Sequence, residues 1–259
     1  MLEHHRIALG LAIERLANEP DVLAVILGGS IAKGSERPDS DVDLIVVVSD
    51  EGYADRFAKV KASFLWTDIA DWPGGYVEGR FVSRAFILDA AARGSEPTRW
   101  SFTGSRIVWG SDTEIEAALP KIPVYPEHER QVRMDAFYSQ LLVCAGFFWN
   151  EGVRRDDPYL THWSAVRVVL FAARLVLAHD RRLFPNQKRL MEALALCPSK
   201  PPEFDELAAR ILAGDADARN ALVTLIKNQI GPMSVDVVTR FQQDSEMSWF
   251  TATHDVSEW

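Results

Sequence analysis

Cysteine is scarce in this chain, with Cys144 and Cys197 the only two among 259 residues. Both lie in apolar stretches of helical pattern, which excludes a disulfide framework and a thiolate metal site and predicts two reduced core residues. Positive charge is also in deficit. Lys and Arg total 28 against 37 Asp and Glu, a formal net charge of −9, which argues against general binding to nucleic acid. Long uncharged apolar runs are missing. The most apolar stretch, Ala165 to Ala178, is interrupted by Arg167 and Arg174 and is too short and too charged to span a bilayer. The opening MLEHHRIALG has no apolar signal-peptide core. His4, His5, His128, His162 and His254 fall at no metal-ligand spacing. A cytoplasmic enzyme or binding protein with no membrane partner is the expectation.

What is present divides into two halves. In the first, His4–Asn18 has the spacing of an amphipathic helix, and Val22–Leu27 is a buried strand running into Gly28 and Gly29. A short helix is expected over 31–34, a turn at Arg37–Asp39, and a strand over Asp41–Val48 with Val42, Leu44, Val46 and Val48 on one face. A helix follows over 52–61, then strands over 64–70 and 76–83, a helix over 84–93 and a short edge strand at Ile107–Trp109. A helix over 113–119 leads into IPVYPEHE, Ile122–Glu129, whose two prolines mark a hinge. Beyond it every pattern is helical: 127–151, 159–179, 186–196, 203–213, 216–229 and 235–243. The expected architecture is α+β, with a small mixed twisted sheet flanked by helices in domain 1–121 and an all-α helical bundle in domain 122–259. The tail from Asp244 to Trp259 is expected to be loosely ordered.

The chemistry concentrates in LGGSIAKGSERPDSDVDLIVVV, Leu27 to Val48. Residues two apart on a strand share a face, so Asp41 and Asp43 stand side by side. Two neighbouring carboxylates repel, and burial worsens the repulsion. A divalent cation relieves it, and hard oxygen donors suit Mg²⁺. Gly29 and Ser30 close the preceding strand. A glycine lets backbone N–H groups approach an anion, the serine hydroxyl adds a donor, and a helix starting there favours phosphate. Taken singly, a Gly-Gly-Ser turn is an ordinary turn and an Asp-Val-Asp an ordinary solvated strand start. Together, Gly29-Ser30, a ten-residue gap and Asp41-Val42-Asp43-Leu44 form a specific pattern.

That pattern resembles the signature of the polymerase-beta-like nucleotidyltransferase superfamily. The resemblance implies a third carboxylate on a neighbouring strand, for which Asp68, Asp71 and Glu78 are candidates. The segment GGYVEGRFVSRAFILDAAARGSEP, Gly74–Pro97, is similar to bacterial aminoglycoside- and lincosamide-type nucleotidyltransferases with a helical C-terminal domain. In these an acid stands at the Glu78 position, so Glu78 is preferred, with Asp68 second. Gly79 is expected to give room for close approach at Glu78, and the ordinary alternative for Glu78 is a surface pair with Arg80. RLFPNQKRL, Arg182–Leu190, is similar to a segment that presents a lysine to the nucleotide's phosphates. Lys188 is therefore expected as a phosphate contact beside a helix begun by Pro185, against the alternative of a solvated lysine. The implied activity transfers NMP, AMP from ATP in the first instance, to a hydroxyl of a small acceptor and releases pyrophosphate. Two Mg²⁺ ions would be held by Asp41, Asp43 and Glu78, with Glu78 also available as general base. The nucleotide is expected in the cleft between the domains.

Two alternatives keep the same residues: a protein-adenylylating, antitoxin-type enzyme, and a nucleotide-binding module without turnover. Arg174 and His179 have a spacing that resembles helical HEPN ribonucleases, but Leu175 departs from the polar residue usual there. Arg167 and Arg174 are expected in structural pairs, and Trp149 and Trp163 in the core. The large apolar helices allow a homodimer.

Overall fold

The computed structural model describes residues 1–231 and 233–247, so most of the tail expected to be loosely ordered, and His254 with it, lies outside the described residues. The chain divides into two compact units between Val124 and Tyr125. The first runs α1 (Glu3–Leu16), β1 (Val22–Leu27), α2 (Gly29–Lys33), β2 (Val42–Val48), α3 (Asp50–Ala58), β3 (Ser63–Trp66), β4 (Val77–Ser83), α4 (Arg84–Arg93), α5 (Glu96–Ser101), β5 (Arg106–Gly110) and α6 (Thr113–Ala118). Its five strands form one mixed sheet in the order β3-β4-β2-β1-β5. β2 and β4 are parallel, while β1 pairs antiparallel with both β2 and β5, and β3 antiparallel with β4. The α+β class and the mixed sheet are as the sequence implies.

Alternation in β2 sets the two faces of the sheet. Val42, Leu44, Val46 and Val48 pack with Leu9, Ala12 and Leu16 of α1. Val47 points the other way, into a core with Ile26 of β1, Ile87 and Ala90 of α4, and Ile115. Each such side chain contributes about 1.5–3 kcal/mol by leaving water. The second face is therefore dry along its middle. Toward the N-terminal end of β2, that same face carries Asp43 in place of an apolar residue.

Several elements differ from the sequence pattern. The strand expected over 64–70 is only Ser63–Trp66, because the chain turns at Thr67–Ala70, where Asp68 forms an ion pair with Arg15 at 2.7 Å. Helix α5 was not legible at all: EPTRWS has no apolar period. It forms because Ser95 caps the Thr98 N–H and Pro97 sits in the first turn. The buried Arg99 then donates to the carbonyls of Gly94, Ala91, Ala92, Ile122 and Val124, tying the end of the unit to α4.

The second unit is helical: α7 (Arg130–Val143), α8 (Trp149–Arg154), α9 (Pro158–His179), α10 (Leu190–Leu194), α11 (Phe204–Leu212), α12 (Ala216–Ile230) and α13 (Val237–Asp244). The helix expected over 127–151 is continuous but composite. A 3₁₀ turn at Glu127–Glu129 precedes α7, and a π-helical turn at Cys144–Phe148 joins α7 to α8. Helix α9 is long and apolar enough to cross a membrane by length and composition, but every residue from Val168 to Ala178 is buried, as the core helix of a bundle. Cys144, Cys197 and Trp149 are buried in the same core, and both cysteines are free thiols. Arg174 is fully buried, its guanidinium stacked on Phe137 and Phe184. Arg167 donates to Gln140 at 2.9 Å and lies over Trp163. His179 bonds its neighbour Asp180 at 3.0 Å.

Candidate active site

A tight turn delivers the first acid. The Arg37 N–H donates to the Ser40 hydroxyl at 2.9 Å, and the Ser40 N–H returns to the Arg37 carbonyl at 3.0 Å. Asp41 follows at once and lies just before β2, not inside it as expected. It is still tied to the sheet edge, because the Val42 N–H donates to the Tyr76 carbonyl at 3.1 Å. Asp43 is the second residue of β2, directly opposite Glu78 in the parallel register with β4. Parallel register and a period of two therefore converge three carboxylates at one end of the sheet. Ligand oxygens of Asp41, Asp43 and Glu78 all lie within 4.8 Å of one another, each residue partly buried.

Gly29 completes the arrangement. Its φ is +64°, and a Cβ there would come within 1.7 Å of Oδ2 of Asp43. Only glycine allows the turn after β1 to lie against this carboxylate. The helix expected after Ser30 begins at Gly29 itself and has five residues. It ends at Gly34 in the left-handed region, with the Ser35 N–H closing on the Ser30 carbonyl at 3.0 Å. Gly79 acts differently from expectation. Its missing side chain makes room for the Phe64 ring, which an added Cβ would meet at 2.2 Å, so it serves packing on the far face of the sheet.

The electrostatics are those of crowded acids short of counter-charge. The Asp43 carboxyl is pushed up to about 7, first by burial, then by the charges of Asp41 and Glu78 and by the hydrogen bond it donates to Glu78; Arg80 opposes the shift. Arg80 stands 3.7 Å from Glu78 and is largely exposed, so the surface pair weighed for Glu78 exists beside the cluster. Hydrogen bonding toward Asp41, the charges of the acids around it and burial raise the Tyr76 phenol to about 12. Tyr76 escaped the sequence reading, although it stands two residues before Glu78, as Asp41 stands two before Asp43. Asp68 is elsewhere: its pair with Arg15 holds its carboxyl below the usual range, and it has no place in the cluster. Asp71 is likewise outside it. Lys188 belongs to the second unit and is exposed in a 3₁₀ turn, Gln187–Arg189, that is capped by the Asn186 side chain. Pro185 precedes that cap and does not open the helix, which starts at Leu190.

Three hard oxygen donors with a partly buried, destabilised carboxylate among them fit a divalent cation such as Mg²⁺.

Comparisons with known proteins bear on the fold and on the first unit. The family described as nucleotidyltransferase domain matches residues 11–86, a span that includes Gly29, Ser30, Asp41, Asp43 and Glu78. Among solved structures, a nucleotidyltransferase-like protein from Exiguobacterium sibiricum 255-15 is 14% identical with a TM-score of 0.50, over 92% of this chain and 77% of that one. Spectinomycin adenyltransferase AAD(9) from Enterococcus faecialis, solved with ATP and spectinomycin, is 14% identical with a TM-score of 0.38, over 89% of this chain and 99% of that one. No curated protein matches. The first of these likenesses concerns the fold; residues 11–86 match the nucleotidyltransferase domain family over the stretch that holds Gly29, Ser30, Asp41, Asp43 and Glu78.

Proposed function

We propose that this protein transfers a nucleoside monophosphate, AMP from ATP in the first instance, to a hydroxyl of a small-molecule acceptor, with Asp41, Asp43 and Glu78 as its catalytic residues. The observation that carries this reading is the convergence of three carboxylates within 4.8 Å inside a nucleotidyltransferase domain. The acceptor oxygen forms a bond to the α-phosphorus as the bond from that phosphorus to the pyrophosphate oxygen breaks. The hydroxyl proton passes to a carboxylate of the cluster, for which Glu78 is positioned. Gly29 and Ser30 bind the triphosphate through their N–H groups and the serine hydroxyl. Lys188 is assigned a phosphate contact from the resemblance of its segment. Asp41, Asp43 and Glu78 would hold Mg²⁺, two ions in this reading, which would supply charge neutralisation for the triphosphate and a lowered pKa for the acceptor hydroxyl. Positioning of the reacting groups by these residues would supply most of the rate.

An acidic protein suits a cationic acceptor of the aminoglycoside or lincosamide kind. The test is a thermal-shift comparison of ATP, GTP, CTP and UTP with and without Mg²⁺. It is followed by transfer of label from the α-phosphate of the preferred nucleotide to a panel of hydroxylated antibiotics and proteins. Metal-dependent stabilisation by one NTP and label on a small molecule support the proposal. Label on protein alone assigns the antitoxin-type activity instead, and binding without transfer to any acceptor assigns a nucleotide-binding module.

A further inference from the structure

The sheet itself holds Asp43 and Glu78. They pair in the parallel ladder of β2 and β4, and the Asp43 carbonyl accepts the Gly28 N–H at 2.9 Å. Asp41 lies before β2, outside the ladder, so its place depends on the turn that leads into it. Two bonds between Arg37 and Ser40 fix the shape of that turn. They do not fix where it sits, and they leave the Pro38 carbonyl to bond outward. The first turn of α1 supplies the partner: Nε2 of His4 lies 3.0 Å from the Pro38 carbonyl oxygen. A carbonyl only accepts, so Nε2 carries the proton and donates. The Met1 amino group pairs with Glu36 at 2.8 Å, at the edge of the same segment.

His4 is braced in turn. Its ring centroid lies 4.1 Å from that of His5 and 4.9 Å from that of Trp72, and His5 and Trp72 are 5.1 Å apart. His5 is fully buried. The Trp72 ring folds over Gly75, where an added Cβ would meet it at 2.2 Å, and the Gly75 N–H donates to the Trp72 carbonyl at 2.9 Å. Tyr76 follows, and its carbonyl accepts the Val42 N–H at 3.1 Å, next to Asp41. One ring cluster therefore touches both segments that enter the acid end of the sheet, 37–40 ahead of β2 and 72–75 ahead of β4.

We propose that His4 is a positioning residue for the cation site: braced by His5 and Trp72, it anchors the Pro38 turn so that Asp41 meets Asp43 and Glu78. This rests on the reading of the three acids as a cation site. A turn anchored before the ion arrives spares the ion the cost of ordering it, which shows as affinity. In this role His4 touches no acid, nucleotide or acceptor; it acts through the turn and Asp41.

The test is Mn²⁺ binding to the full chain, followed by electron paramagnetic resonance without nucleotide, so that turnover plays no part. His4→Phe keeps a ring against His5 and Trp72 and removes the donor, and its unfolding midpoint controls for the fold. The expected result is an Mn²⁺ affinity about fivefold weaker than wild type, the worth of one hydrogen bond. His4→Gln, which restores an N–H donor, should return the affinity to within about twofold of wild type. In an Asp41→Asn background, adding His4→Phe should change the residual affinity by less than about twofold, because the group it places no longer ligates. Wild-type affinity in His4→Phe overturns the proposal while leaving the site reading intact. So does a His4→Gln protein as weak as His4→Phe, which would mean that the donor is not the agent. An equal loss from His4→Phe with and without Asp41 overturns it too, because His4 would then act on the fold. A wild-type chain that binds no Mn²⁺ overturns the reading of the acids, and the role of His4 with it.

Discussion

The acid end of the sheet and the rest of the same unit treat negative charge in opposite ways. Away from the site, acids are matched by arginine. Arg56 bridges Glu19 and Asp21 and lies over the Phe81 ring; Arg84 bridges Asp112 and Glu114; Arg15 holds Asp68. Within these groups Asp21, Asp68 and Asp112 have carboxyls lowered by their partners. At the site, three acids converge and, among the described residues, Arg80 is the cation ion-paired with them, at 3.7 Å from Glu78, and Asp43 is raised to about 7. Three acids short of counter-charge are what the proposed cation site requires. Destabilised, converging groups of this kind mark functional sites.

The sharpest way to break the contrast is to remove the charges. Asp41→Asn with Asp43→Asn should lower Mg²⁺-dependent nucleotidyl transfer by about 1,000-fold or more and leave the circular-dichroism spectrum unchanged. Retained turnover would dissolve the distinction between the two regions. Gly29→Ala comes next. It forces a side chain into the Asp43 carboxylate at a backbone φ of +64°, so activity should fall about 100-fold, because displacing a reacting group by an ångström costs that much.

The pH dependence of the metal-free protein tests the electrostatics alone. Asp43 titrates at about 7 when folded against 3.8 for the ordinary group, so between pH 4 and 7 the folded state binds more protons than the unfolded. The contribution of Asp43 to stability therefore falls as pH rises through that window, by an amount on the order of a few kcal/mol, read as the difference between wild type and Asp43→Asn. Asp43→Asn should remove this contribution, and saturating Mg²⁺ should reverse it. The same pH dependence from 4 to 7 in wild type and Asp43→Asn would show that Asp43 is not under this strain.

The paired region should respond the other way round. Arg56→Ala breaks two ion pairs and a ring contact, and should cost about 2 kcal/mol in urea unfolding with Mn²⁺ affinity unaltered. Smallest of all, Lys188→Ala should raise the KM for nucleotide about fivefold with kcat unchanged, the mark of lost uniform binding. An unchanged KM returns Lys188 to the solvated surface.

Much of this was legible before any coordinates. β1 matches its pattern from Val22 to Leu27, and the alternation of β2 predicts which face holds Val42, Leu44, Val46 and Val48, because a half-buried strand writes its period of two into the sequence. Asp41, Asp43 and Glu78 were singled out before the structure drew them together, Asp43 by strand period and Glu78 by resemblance. What escaped lacks a local signal. Tyr76 matters only through the register of β4 on β2, a pairing between residues more than thirty apart. Arg99 matters through the carbonyls it donates to in two separate segments, 91–94 and 122–124. Gly79 stands beside Glu78 in sequence yet answers to Phe64 on the opposite face. Turn chemistry shortened the strand after Phe64, and the cap on α5 was hidden among polar residues.

The central claim is that the three acids form a cation-dependent nucleotide site. The most direct measurement is the shift in unfolding midpoint produced by ATP, compared with and without Mg²⁺ in wild type and in Asp43→Asn. A stabilisation that needs both ATP and Mg²⁺ in wild type and vanishes in the variant is the predicted result. An equal shift in the two proteins, or one indifferent to Mg²⁺, would contradict it.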